Sequence, residues 1–198
     1  IDGVELVAGA DPTGDPHSVA GELQVLDGVA DRIAAGIDYC VVAIPTAYHH
    51  AIAMELAAMG VHALIEKPLA ANSAEAAEIV AAFASAGLVG GVGHIARYNP
   101  ALQQARARME AGDLGEIFQV STRRVGPFPS RIADVGVVKD LGTHDIDLTS
   151  WVTQQTFARV AAQTAHRSGR PHEDLVAITG QLADGTVTNH LVNWLSPM

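Results

Sequence analysis

Short apolar runs alternate with alanine-rich stretches along the first half of this chain. Residues 4–10 (VELVAGA) read as a buried strand, stopped by Asp11-Pro12. Residues 11–21 carry two prolines and two glycines among polar side chains and predict a loop. Residues 29–35 predict a short helix with Asp27 as its cap. Residues 38–44 (DYCVVAI) are apolar and β-branched throughout, the pattern of a parallel strand covered on both faces, and Pro45-Thr46 ends them. A helix is expected over 47–59 with Gly60 just past its end, then a strand over 61–65. Glu66-Lys67-Pro68 follows that strand directly. Asn72-Ser73 caps an amphipathic helix over 74–86, ended by Gly87, and residues 88–92 read as a further strand.

This alternation predicts an α/β unit, a Rossmann-like doubly wound parallel sheet with helices on both faces. Right-handed crossovers put the strand C-termini of such a sheet on one edge, where ligands bind. Asp11, Pro45-Thr46, Glu66-Lys67-Pro68 and Gly93-His94 each follow a strand, so they are expected at that edge.

The pattern then changes. Residues 100–111 predict a helix ending at Gly112, and 117–125 a strand followed by a turn over 126–129. Residues 135–138 lead into Asp140-Leu-Gly-Thr-His144-Asp-Ile-Asp147, with an apolar-periodic helix expected to run to Val152. Three strands are expected over 157–164, 175–182 and 186–193, with Asp184-Gly185 as a hairpin turn. That is an α+β domain with a mostly antiparallel sheet. The expected division is residues 1–98 and 99–198.

The 198 residues are 48% hydrophobic and 17% charged, with a formal net charge of −10. Enough apolar surface is present for a sizeable core, and the acidic balance argues against nucleic-acid or anionic-membrane partners. No apolar stretch approaches the ~18 residues of a membrane helix, and no basic-then-apolar leader opens the sequence. Cys40 is the single cysteine, which excludes an intramolecular disulfide and reads as an inert buried thiol. A cytoplasmic setting is the expectation.

Several residues have chemical potential. An acidic side chain at a strand end, such as Asp11, suits the two hydroxyls of an adenosine ribose and repels a 2′-phosphate; an Asp-Pro turn alone looks the same. Lys67, pinned between Glu66 and Pro68, suits an electrostatic clamp or an acid–base role, and also fits a surface lysine. Asp140, His144, Asp147 and Trp151 fall within about 60° on one helix face. A carboxylate one turn before an imidazole fixes its tautomer for general base work, although a satisfied core histidine or N/O metal ligands, with His94, fit that spacing too. Arg97 and the Arg123-Arg124 pair offer forks for a phosphate or carboxylate, or structural ion pairs. Of His49 and His50, one suits a ligand at a helix N-terminus and the other an exposed surface. No G-x-G-x-x-G occurs in the chain, which leaves a pyrophosphate loop unaccounted for and predicts weak NAD binding by these 198 residues.

The ordered set Ala10-Asp11-Pro12, Ile44-Pro45-Thr46-x-x-His49, Glu66-Lys67-Pro68, Val92-Gly93-His94-x-x-Arg97-Tyr98-Asn99-Pro100, Gly112-x-x-Gly115 and Asp140-x-Gly-x-His144-x-x-Asp147 closely resembles the glucose–fructose oxidoreductase / inositol dehydrogenase / rhizopine-catabolism (Gfo/Idh/MocA) family. The resemblance runs along nearly the whole chain. It implies a Rossmann domain followed by an open, mostly antiparallel sheet domain, truncated here at both ends relative to the family. It also implies an oxidoreductase that transfers hydride between NAD, rather than NADP, and a secondary alcohol of a sugar, inositol or sugar nucleotide. In that comparison Lys67 contacts the reacting oxygen, His144 is the acid–base group and Asp140 its partner, the three catalytic residues. Asp11, Pro45, Thr46, His49, Glu66, Lys67 and Arg97 fall at cofactor positions, and no metal is required. Lys67 and His144 are then expected to meet at one substrate hydroxyl. Self-association through the second sheet is a further expectation. The competing readings are a non-catalytic NAD-binding regulator of the same fold and a metal-dependent hydrolase.

Overall fold

The computed structural model of the chain describes residues 2–28, 36–129, 132 and 135–197. The helix expected over 29–35 lies outside the described residues. The chain forms two compact units, Ile1–Gly93 and His94–Met198.

In the first unit β1 (Gly9–Ala10) pairs in parallel with β2 (Val25–Leu26). A separate parallel sheet has the order β3-β4-β5, with β3 at Tyr39–Val42, β4 at His62–Ile65 and β5 at Gly90–Val92. Helix α1 (His49–Ala58) joins β3 to β4, and α2 (Ser73–Ser85) joins β4 to β5. Asn72 caps α2 as its sequence position requires: its side-chain oxygen accepts the Glu75 N–H at 3.0 Å and its amide donates to the Glu75 carboxylate at 2.8 Å. Val42, Ala63 and Ile65 turn toward both helices and close a core with Leu56, Ile79 and Phe83. Val41 and Leu64 point to the other face and remain exposed.

The expected strand over 4–10 is corrected. Only Gly9–Ala10 joins a ladder, and Val4, Leu6 and Val7 are exposed. An apolar run becomes a buried strand only where a ladder and a covering layer meet it. The pairing strand β2 was missed, because two apolar residues carry no period.

The second unit holds α3 (Pro100–Glu110), β6 (Gln119–Val125), α4 (Thr143–Thr153), β7 (Phe157–Ala165), β8 (Leu175–Leu182) and β9 (Val187–Asn193). Asn99 caps α3 by accepting the Ala101 N–H, with Pro100 at the first helical position, where its missing N–H costs nothing. The strands lie in the order β6-β9-β8-β7. The β7–β8 and β8–β9 ladders are antiparallel, and β6–β9 is parallel. At the β8–β9 turn Gly185 takes φ +95°, a conformation open to glycine, and the Leu182 N–H reaches the Thr186 carbonyl at 2.9 Å. Val137, Val138, Leu141 and Ile146 pack onto Val176, Ile178 and Val192 of the sheet and Trp194 just beyond β9. One π turn, Val138–Gly142, precedes α4, so the regular helix expected through Asp140 begins only at Thr143.

Candidate active site

At the end of β1 the Asp11 N–H donates to the Leu26 carbonyl at 2.9 Å. One carboxylate oxygen accepts the Thr13 hydroxyl at 2.6 Å and the Thr13 N–H at 2.8 Å. These two bonds hold the acid below the usual carboxylate range, so an ionised, exposed carboxylate stands at this strand end. Such a group fits the paired hydroxyls of a ribose.

After β3, Pro45 is exposed and Thr46 half-buried, and the chain turns through a single 3₁₀ turn, Thr46–Tyr48, into α1. After β4, the Glu66 N–H donates to the Val42 carbonyl at 2.9 Å, and the Glu66 carboxylate accepts the Lys67 N–H at 3.1 Å. The Lys67–Pro68 peptide is cis, and Lys67 is half-buried. Gly93, just after β5, packs closely against this turn: a Cβ there would sit 3.0 Å from the Glu66 carboxyl carbon, tighter than ordinary van der Waals contact. The adjacent strand ends thus fold Glu66 and Lys67 into one turn.

His49 does not present a nitrogen to a ligand. Its side chain is 1% exposed, with Nδ1 at 2.9 Å from the Pro68 carbonyl oxygen and Nε2 at 2.9 Å from that of Ile44. The expectation that it lines the cofactor is replaced by a place between two backbone turns. His50 instead meets Glu78 at 2.7 Å near the surface. Cys40 packs against the core, and burial pushes its thiol upward, away from reactivity.

In the second unit, Asp140 lies in the π turn and His144 in the first turn of α4; both are half-buried. A π turn inserted before an α-helix often marks a functional position. Two nitrogens of Arg97 grip both oxygens of Asp147, and His94 Nδ1 lies 3.5 Å from Asp147 Oδ2. The bond to Asp147 raises the guanidinium further. Arg97, expected at the cofactor, therefore has its fork engaged by a carboxylate of its own unit. Trp151 is likewise covered by Arg106, 4.8 Å from its centroid. Among the described residues no group of three or more His, Cys, Asp or Glu is placed to hold a metal ion.

For three arrangements the sequence names no partner. Arg124 Nε donates at 2.7 Å to Asp145, a buried side chain of α4. His190 is buried with its Nδ1 2.8 Å from the Thr122 hydroxyl, and burial lowers its pKa against the opposing pull of Asp145. The loop between β7 and β8 forms a clasp on the segment that leads to Asp140. Glu173 accepts the Val138 N–H at 3.0 Å, a contact that Gly136 permits because a Cβ there would overlap the carboxylate. Arg170 donates to the carbonyls of Ile132 (3.3 Å) and Val135 (3.0 Å) and stacks 4.2 Å from the Phe128 centroid. The charged string Arg170-Pro-His-Glu173-Asp174 is the only local signal for it.

Comparison with known proteins decides the family. Residues 17–94 match the oxidoreductase family model with an NAD-binding Rossmann fold, and 102–198 match the GFO/IDH/MocA C-terminal domain. The chain belongs to the Gfo/Idh/MocA oxidoreductase family. It is 37% identical over 159 residues to the UDP-N-acetylglucosamine 3-dehydrogenase of Acidithiobacillus ferrooxidans, covering 80% of this chain and 49% of that protein. It is 31% identical over 192 residues to the D-apiose dehydrogenase of Paraburkholderia graminis, covering 90% and 51%. Among solved structures, the WlbA dehydrogenase from Bordetella pertussis, in complex with NADH and UDP-GlcNAcA, superposes with a TM-score of 0.88 at 25% identity, covering 97% of this chain and 60% of that one. The chain spans about half the length of these two curated relatives. Among the described residues no helix is long and apolar enough to cross a membrane.

Proposed function

We propose that this chain carries the catalytic residues and part of the cofactor site of an NAD-dependent dehydrogenase that oxidises a secondary alcohol of a sugar, inositol or sugar nucleotide. The observation that carries this is the Glu66-Lys67-Pro68 turn, built at adjacent strand ends in a chain of this family that also retains Asp140 and His144. The dehydrogenase names of the relatives support the same reaction class.

Bound NAD supplies the hydride acceptor. Asp11 holds the adenosine ribose by its two hydroxyls and disfavours a 2′-phosphate. Pro45, Thr46 and Glu66 line the nicotinamide end. Lys67 stabilises the developing alkoxide as a fixed positive charge. His144 takes the hydroxyl proton, and Asp140 orients the imidazole, an arrangement worth about 10²–10⁴-fold in rate. A cytoplasmic setting and self-association through the second unit's sheet belong to the same proposal. The exposed residues of β7, an edge strand, support the second point.

The test is NAD reduction by the full-length protein, followed at the NADH absorbance across inositols, aldoses and nucleotide sugars. Turnover with at least one class is expected, lost in Lys67→Ala and His144→Ala. No reduction with any class, or unchanged turnover in both variants, would refute the proposal. A non-catalytic regulator would bind NAD and give no turnover.

A further inference from the structure

We propose that His49 is a positioning residue, whose ring holds the turn carrying Lys67 by bridging the chain ends of β3 and β4. This rests on the role of Lys67 given above. The ring is 1% exposed and lies 2.9 Å from each of two backbone carbonyl oxygens, those of Ile44 and Pro68. Ile44 sits in the turn after β3, and Pro68 directly follows Lys67.

Both turns contain proline, which has no N–H to donate, so each has one fewer backbone donor for closing itself. The imidazole supplies a donor from a third element, the first turn of α1. A single ring N–H ties one carbonyl; a ring carrying hydrogen on both nitrogens ties both. The other side of the Lys67 turn is already anchored, by Glu66 N–H to the Val42 carbonyl and by Lys67 N–H to the Glu66 carboxylate. His49 therefore completes a two-sided mount for Lys67 without touching the reacting atoms. Remove the donor, and a buried carbonyl must seek water, taking the adjoining Lys67 out of register. A displacement near 1 Å at a catalytic group costs about 10²-fold in rate.

The experiment uses the full-length protein with His49→Phe, which fills the space and donates nothing, and His49→Gln, which retains an N–H donor. Two readouts are taken. One is kcat and KM, measured separately. The other is acetylation of Lys67 by a water-soluble succinimidyl ester, scored by peptide mass spectrometry against exposed Lys139. In His49→Phe we expect kcat to fall about 10–100-fold, KM for NAD to stay within about threefold, and the Lys67/Lys139 ratio to change at least about threefold; His49→Gln recovers part of each. If His49→Phe does not fold, His49→Gln alone carries the test, with the same effects in smaller measure. An unchanged labelling ratio in a folded variant overturns the proposal whatever the activity does. So does a kcat within about twofold of the parent. If the parent has no dehydrogenase activity, the functional reading fails by itself, and the labelling ratio still decides for or against the mount.

Discussion

Replacing Arg170 by alanine tests whether the loop between β7 and β8 holds the approach to Asp140. The side chain is 16% exposed, and its contacts to Val135, Ile132, Phe128, Trp194 and Asp174 are lost. The bond to the Val135 carbonyl at 3.0 Å is a charge-assisted one, worth about 1.5–3 kcal/mol, and the 3.3 Å bond to Ile132 is weaker. Stacking 4.2 Å from Phe128 and 5.3 Å from Trp194 adds about 1 kcal/mol. Asp174, 3.9 Å from the guanidinium, is not left stranded. It retains the Arg167 and Ser168 N–H groups at 2.7 and 2.9 Å and the Ser168 hydroxyl at 2.7 Å. Relief from burying a cation offsets part of the loss. The expected net cost is about 3 kcal/mol, or roughly 10–20 °C in the melting temperature of a unit of this size. Urea unfolding followed by tryptophan emission measures it, since Trp194 lies in the stack. Arg170→Lys keeps the charge but not the planar fork, so about half the cost should remain. A loss below about 1 kcal/mol in Arg170→Ala, or full rescue by lysine, would refute the clasp.

Gly93→Ala should push the Glu66 carboxylate off the Lys67 N–H and lower kcat at least about tenfold while the protein stays folded, as steady-state kinetics and a melting curve will show. Asp11→Ser should raise kcat/KM for NADP relative to NAD at least about tenfold; an unchanged ratio would remove Asp11 from the ribose. Lys67→Ala should lower kcat about 10²–10⁴-fold yet leave NAD affinity by calorimetry within about threefold. His190 has a folded pKa below the ordinary value of about 6.5, so below that pH the unfolded chain binds a proton that the native one does not. Its contribution is present above about pH 6.5 and is lost as pH falls toward the folded value. Melting temperatures at about pH 7.5 and 5.5 should therefore drop with acid, and less steeply in His190→Phe; equal slopes would exclude His190 as the source.

The sequence alone determined the punctuation of this protein. Asn72 and Asn99 cap helices, Gly60 and Gly185 end elements at positive φ, and a strand stands at Leu175–Leu182 as expected. Each of these depends on a residue and its neighbours within one or two turns of chain, so local chemistry suffices. The strand-end motifs were legible for the same reason: a strand terminates where proline, glycine or charge interrupts an apolar run. Tertiary structure decided which side chains meet. Arg97 and Asp147 are 50 positions apart, and nothing near either one names the other; the fold brings the 3₁₀ turn Ile95–Tyr98 and α4 together, and their charges pair. His49 read as a ligand-facing imidazole because its motif borders a cofactor strand, but burial between two proline turns turned its nitrogens onto backbone carbonyls. The run 4–10 read as core and is largely exposed, since hydrophobicity states what a segment would gain from burial and not whether a partner covers it. The parallel pairing of β6 with β9 and the hold of Arg170 on the Ile132 and Val135 carbonyls depend likewise on where distant segments cross, and no local period encodes that.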